Sequence, residues 1–160
     1  MQITGLGTHI KVKDIQVSRA FYEALGMKSV FAMGTEDYRA TLPDGLDSVP
    51  ERYNGIIYQI SDTATLEIAD GHCGVKNQNV FSEKVQSEKV SAMIKVDSLV
   101  DLFTNDLLDI IFPVRHYYWG SLEVAVRDPD GYVLVFIAPY SDEEKTKIEQ
   151  YREIEEVTNG

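Results

Sequence analysis

Thr8, Ile10 and Val12 fall on one side of an alternating stretch while Gly7, His9 and Lys11 fall on the other, the period of a strand buried on one face. Asp14 then caps a helix whose apolar positions Val17, Phe21, Tyr22 and Leu25 recur at helical spacing, and Gly26 ends it. A short strand from Lys28 to Met33 follows. The stretch from Gly34 to Asn54 is turn-rich, broken by Pro43-Asp44-Gly45 and Pro50. Two more strands are expected at Gly55 to Ser61 and Ala64 to Ala69, joined through Asp62-Thr63.

The order repeats after a polar linker at 78–88. Val90 to Val96 reads as a strand, and Asp97 or Ser98 opens a helix using Leu99, Leu102, Phe103 and Leu107. Ile110 to Val114 is a further strand. Leu122 to Arg127 and Tyr132 to Ala138 close the half around Asp128-Pro129-Asp130-Gly131, where proline sets the turn and glycine takes a positive φ. Ile10-Lys11-Val12 before Asp14 returns as Ile94-Lys95-Val96 before Asp97, so a duplicated unit is the simplest reading. The fold class is α+β: two βαβββ modules forming a curled mixed sheet around a shared cavity, plus a C-terminal helix. The modules span about 3–75 and 89–139 of a domain at 1–140, with an accessory helix and tail at 141–160. Each unit alone leaves one sheet face open, so the modules pair within a chain or by exchange between chains. Ser141 to Val157 is read as a charged helix, with Ser141 and Glu144 spaced as a capping box and Ile148 and Tyr151 as its apolar stripe.

The marks Val12 to Asp14, Ser18-Arg19-Ala20-Phe21-Tyr22-Glu23-Ala24-Leu25-Gly26-Met27, Trp119-Gly120 and Asp128-Pro129-Asp130-Gly131, in that order, resemble the vicinal oxygen chelate superfamily. That group includes glyoxalase I, extradiol dioxygenases and bleomycin resistance proteins, and the resemblance covers about residues 7–139. It implies four metal ligands in the metal-dependent relatives. Carried onto this chain, those positions are Gly7, Glu67, Ser91 and Val135. Glycine and valine offer no side-chain ligand, and serine is a poor one beside imidazole or carboxylate. A displaced site would draw on His9 and Glu67.

Strand parity nominates a pocket face independently. His9 and Lys11 accompany Gly7; Glu67 accompanies Thr65 and Ala69; Ser91 and Lys95 accompany Met93; Glu123 accompanies Ser121, Ala125 and Arg127; and Val133, Val135 and Ile137 come from the last strand. The run Arg115-His116-Tyr117-Tyr118-Trp119 is expected to form an aromatic lip, with Trp119 offering a flat surface for a planar or cationic group. His9, Lys11, Glu67, Ser91, Lys95, Trp119 and Glu123 are therefore the candidate ligand-binding residues, with no catalytic residue assigned.

Composition narrows the classes. With 26 acidic against 15 basic residues the formal charge is −11, which repels nucleic acid and suits a cationic ligand or simple solubility. No apolar run reaches the roughly 18 residues of a membrane span, and a cytoplasmic homodimer is expected. Cys73 is the only cysteine, which excludes an intrachain disulfide and a four-thiolate metal site. Gly5-Leu6-Gly7 lacks the third glycine of a dinucleotide fingerprint. The leading expectation is noncatalytic binding of a small organic molecule, aromatic or cationic, without cofactor, as in bleomycin resistance proteins. The alternative is a lyase or dioxygenase using a divalent metal on His9 and Glu67.

Overall fold

The computed structural model describes residues 5–71 and 91–157. His72, Cys73, the linker at 78–88 and Val90 lie outside the described residues. The first module runs β1 (Leu6–Lys11), α1 (Ile15–Ala24), β2 (Lys28–Gly34), α2 (Glu36–Arg39), β3 (Asp47–Pro50), β4 (Gly55–Ser61) and β5 (Ala64–Ala69). Its open sheet has the order β1-β5-β4-β2-β3. The outer pairs β1–β5 and β2–β3 are parallel, and β5–β4 and β4–β2 antiparallel.

The cap on α1 forms as its sequence requires: Asp14 Oδ1 accepts the N–H groups of Gln16 and Val17 at 2.9 and 3.1 Å. Gly26 leaves the helix at φ +80°, which a glycine reaches without steric cost. The buried stripe is Ile15, Ser18, Phe21 and Tyr22, while Val17 is exposed. That stripe follows from the i, i+3, i+7 spacing of Ile15, Ser18 and Tyr22, which places Val17 on the outer side. Tyr22 meets Tyr58 of β4 with ring centroids 6.0 Å apart, and Ile10, Ala32, Ile56, Leu66 and Ile68 are buried with them. The turn-rich stretch holds two elements of its own. Thr35 Oγ1 accepts the Tyr38 N–H to start α2, the buried Tyr38 ring anchors it, and β3 pairs with β2.

The second module runs β6 (Ser91–Lys95), a 3₁₀ turn (Val100–Thr104), β7 (Asp109–Ile110), β8 (Val114–Tyr117), β9 (Ser121–Arg127), β10 (Val133–Pro139), α3 (Asp142–Glu149) and β11 (Ile154–Val157). Its sheet has the order β11-β8-β9-β10-β6, with β7 also beside β9. The Asp128 turn is as read: Asp128 Oδ1 accepts the N–H groups of Asp130 and Tyr132 at 3.0 and 2.7 Å, and Gly131 takes φ +92°.

Three elements of this half differ from their sequence reading. The helix expected from Leu99 to Leu107 is a single 3₁₀ turn. Val100 and Thr104 are β-branched and Asn105-Asp106 are weak helix formers, so nothing local extends it. The strand expected from Ile110 to Val114 is split into β7 and β8 across Ile111-Phe112-Pro113, because Pro113 has no N–H for the ladder.

The tail helix stops at Glu149 rather than running to Val157. The N–H groups of Tyr151 and Arg152 both turn back to the Ile148 carbonyl at 2.8 and 2.9 Å, and β11 then joins β8 in parallel register. The pairing sets Glu155 beside Arg115 and Glu156 beside His116, opposite charges on neighbouring strands. Ser141 caps α3 by accepting the Glu144 N–H at 3.1 Å. The Glu144 carboxylate leaves the capping box, accepting instead from the Leu99 N–H at 2.7 Å and the Ser98 hydroxyl at 2.9 Å.

Candidate functional site

In the first module β1 and β5 run side by side with His9 opposite Glu67, and Glu67 is opposite Ile57 on β4. His9 Nδ1 lies 3.3 Å from Glu67 Oε2, and both side chains are 26% exposed. Lys11 shares their side of β1 and is exposed. The half-buried imidazole and carboxylate satisfy one another across the strand pair. They supply two donors, short of the three or four a resident divalent metal requires. Among the described residues no three His, Cys, Asp or Glu side chains come together. Among the described residues this donor set does not fit a resident divalent metal.

The second module carries a cavity of 690 Å³ on one face of its sheet. Strand register arranges that face in three rows. Arg115, Glu123, Ile137 and Lys95 form the first, across β8, β9, β10 and β6. Ala125, Val135 and Met93 form the second, and Arg127, Val133 and Ser91 the third. An apolar row thus lies between two rows that carry charge. The Ile111-Phe112-Pro113 segment displaced by the proline adds further apolar lining. The volume lies within the range of about 300 to 1,000 Å³ typical of small-molecule sites.

The polar groups have defined partners. Glu123 Oε1 accepts from the Ser121 hydroxyl at 2.7 Å and from Trp119 Nε1 at 3.3 Å. Trp119 Nε1 also donates to Ser121 Oγ at 2.7 Å. Arg115 Nε donates to Glu155 Oε2 at 3.1 Å, and its guanidinium lies 5.2 Å from the Phe112 ring centre. Hydrogen bonding to Glu155 first, then to Tyr117, holds the Arg115 guanidinium above its usual pKa. Arg127 Nη1 donates to the Gly131 carbonyl at 3.1 Å.

Of the residues nominated from sequence, Ser91 and Glu123 line this cavity, and Lys95 lies on the same face beyond it. Trp119 stands one layer behind, stacked on Tyr117 with centroids 4.4 Å apart and planes 11° from parallel. It is Tyr117 that lines the wall. His9, Lys11 and Glu67 belong to the first module. Parity on β9 places Arg127 on the pocket face and the run from Arg115 to Trp119 is expected as a lip, but none of Arg115, Tyr117 and Arg127 is among the candidate binding residues. Arg115 and Tyr117 were hidden by the misplaced strand boundary, since only a β8 that begins at Val114 puts them on the same side as Glu123.

No protein-family model and no curated protein matches the chain. Solved structures do. A fosfomycin resistance protein, FosX, from Mesorhizobium loti is 17% identical with a TM-score of 0.55, over 89% of this chain and 97% of that one. A glyoxylase/bleomycin resistance protein/dioxygenase domain from Frankia sp. EAN1pec is 12% identical with a TM-score of 0.52, over 88% of this chain and 98% of that one. An integron cassette protein from V. cholerae is 20% identical with a TM-score of 0.52, over 88% and 98%. At these identities the likeness is one of fold, and the fold is that of the glyoxalase, bleomycin resistance and dioxygenase domains.

Proposed function

We propose that this chain, built on the vicinal oxygen chelate fold, binds a small organic molecule without transforming it, and that the second module supplies the seat. The observation that carries the reading is the apolar row Ala125-Val135-Met93 held between two charged rows in a cavity of ligand size. An apolar body removed from water there contributes about 25 cal/mol per Å². The polar groups on either side fix its orientation.

The absence of an assigned catalytic residue rests on how the charged groups are engaged. Glu123, the carboxylate of the cavity lining, has its Oε1 occupied by two donors, which suits a fixed charge better than a base that must take a proton. Arg115, its pKa raised chiefly by the hydrogen bond to Glu155, stays protonated and does not shuttle protons. The test is a fluorescence screen of small aromatic compounds on the intact chain, read through Trp119, with recovery of each binder afterwards. Saturable changes in emission with the compound recovered unchanged support the reading. Turnover of a binder would replace it with an enzymatic one, and a screen in which no compound saturates would remove the binding role.

A further inference from the structure

Opposite charges stand side by side on the second module's open face. Across the paired strands Arg115 sits between Glu155 of β11 and Glu123 of β9, and Arg127 of β9 has Asp109 of β7 as its cross-strand neighbour. Direct contacts hold them in place. Glu155 and Tyr117 bond the Arg115 guanidinium, which also lies against the Phe112 ring; Ser121 and Trp119 donate to Glu123; and the Gly131 carbonyl takes an Arg127 N–H. A single charge on an occupant would therefore be attracted by one group and repelled by the next, without recovering what it loses on leaving water. Lys95 shares the face but lies beyond the cavity.

What the cavity leaves in water is apolar. Of its lining, Phe112 is 49% exposed and Met93 67%. The Ile111 N–H donates to the Ala125 carbonyl at 2.9 Å, which seats the Ile111-Phe112 segment beside β9, and Ala125, Val135 and Met93 continue the line over β9, β10 and β6. Two large side chains thus end a row whose middle is small. With strands about 4.8 Å apart, the three steps from that segment to β6 span roughly 14 Å, the scale of a fused ring system laid along the row. We infer that the occupant of this cavity is an uncharged, flat aromatic molecule of two or more fused rings, resting on Ala125 and Val135 between Phe112 and Met93. The inference rests on the binding role proposed above and specifies its ligand class. Phe112 offers an aromatic contact at one end, and Met93 an adaptable thioether that packs well against ring edges at the other.

The test compares compounds built on one two-ring body, 2-naphthalenemethanol, 2-naphthoate and 2-naphthylmethylammonium, with benzyl alcohol as the single ring. Each is titrated into the intact protein and followed through the Val135 methyl resonances. The naphthalene alcohol is expected to bind about tenfold more tightly than either charged analogue or benzyl alcohol, and to keep its affinity in about 0.5 M salt. Phe112→Ala and Met93→Ala, each checked for cooperative unfolding, should weaken it about fivefold or more by removing one end of the row. Asp109→Asn, which takes away the acidic neighbour of Arg127, should narrow the deficit of the naphthoate, and an unchanged deficit would contradict the charge balance. A charged analogue that outbinds the alcohol and weakens with salt would overturn the uncharged assignment while the cavity stands. Equal affinity for one ring and two, or folded Phe112→Ala and Met93→Ala variants that bind as the parent does, would overturn the row as the seat. If no compound saturates, the binding role itself fails.

Discussion

Trp119 lies flat on Tyr117, and of the two rings only Tyr117 lines the second module's cavity. The sole tryptophan is therefore a reporter one ring removed from any occupant. Tyr117→Ala should lower the affinity of an aromatic ligand about fivefold or more, since an aromatic contact contributes roughly 0.5 to 1.5 kcal/mol beyond area burial. Trp119→Phe, which keeps a ring behind Tyr117, should cost less. Titrations of the two variants, followed by an extrinsic probe because Trp119 is lost in one, check the order.

Glu144 ties the tail helix to the second module. It is 8% exposed and accepts both the Leu99 N–H and the Ser98 hydroxyl. Glu144→Ala strands a buried backbone donor, at a cost of about 1 to 3 kcal/mol. For a chain of this size that lowers Tm by roughly 2 to 4 °C per kcal/mol, measurable by thermal unfolding. An unchanged Tm would mean that water replaces the carboxylate.

The Tyr58 hydroxyl is fully buried and has no hydrogen-bond partner among the described residues. Burial, reinforced by the nearby Glu23 carboxylate and Tyr38, raises its pKa well above the usual tyrosine value. Tyr58→Phe keeps the ring against Tyr22 and removes the unsatisfied hydroxyl, so stability should hold or rise by about 1 kcal/mol. Denaturant midpoints decide it, and a clear loss would reveal a partner for that hydroxyl.

Much of the chain follows local rules. β1, α1, β4, β5, β9 and β10 were legible because each carries its own alternation, cap or turn: Asp14 before α1, and Asp128 to Gly131 between β9 and β10. What was not legible depends on partners distant in sequence. The 3₁₀ turn is held by Glu144, 45 residues beyond Leu99. β11 pairs with β8, and its Glu155 and Glu156 meet Arg115 and His116, 40 residues earlier. Parity found Ser91, Glu123 and the apolar row. It missed Arg115 and Tyr117 because the interruption at Pro113 shifted the strand on which parity is counted.

That tail strand should respond to pH and salt. The Glu156 carboxyl is held below the usual carboxylate range by hydrogen bonds from Lys145 first and His116 second. A depressed pKa means the stabilisation is present above the unfolded value and is lost as pH falls through the lower folded one. Lys145 is raised chiefly by its hydrogen bond to the same Glu156, so the pair stabilises only while both are charged: it is lost at low pH as Glu156 takes a proton and at high pH as Lys145 gives one up through its raised value. Amide-exchange protection factors at Ile154–Val157 should fall on acidification through the carboxylate range, and fall again in about 1 M salt. Protection that ignores both would assign β11 to backbone pairing alone.

His9 and Glu67 bring two donors together, so added zinc, nickel or manganese should leave the melting temperature within error and elemental analysis should find well under one metal per chain. One tightly held metal per chain, lost in Glu67→Ala, would restore the metal-dependent alternative.

The most direct measurement follows methyl resonances while phenylnaphthylamine is titrated into the labelled protein. Met93, Ala125 and Val135, the apolar row of the open face, should shift first and saturate together. Leu122, Val126 and Leu134, buried in the second module's core, and Ile57 of the first module should move little. Saturable shifts centred on Ile57 with Met93, Ala125 and Val135 silent, or no saturable shift at all, would contradict a ligand seat on the second module.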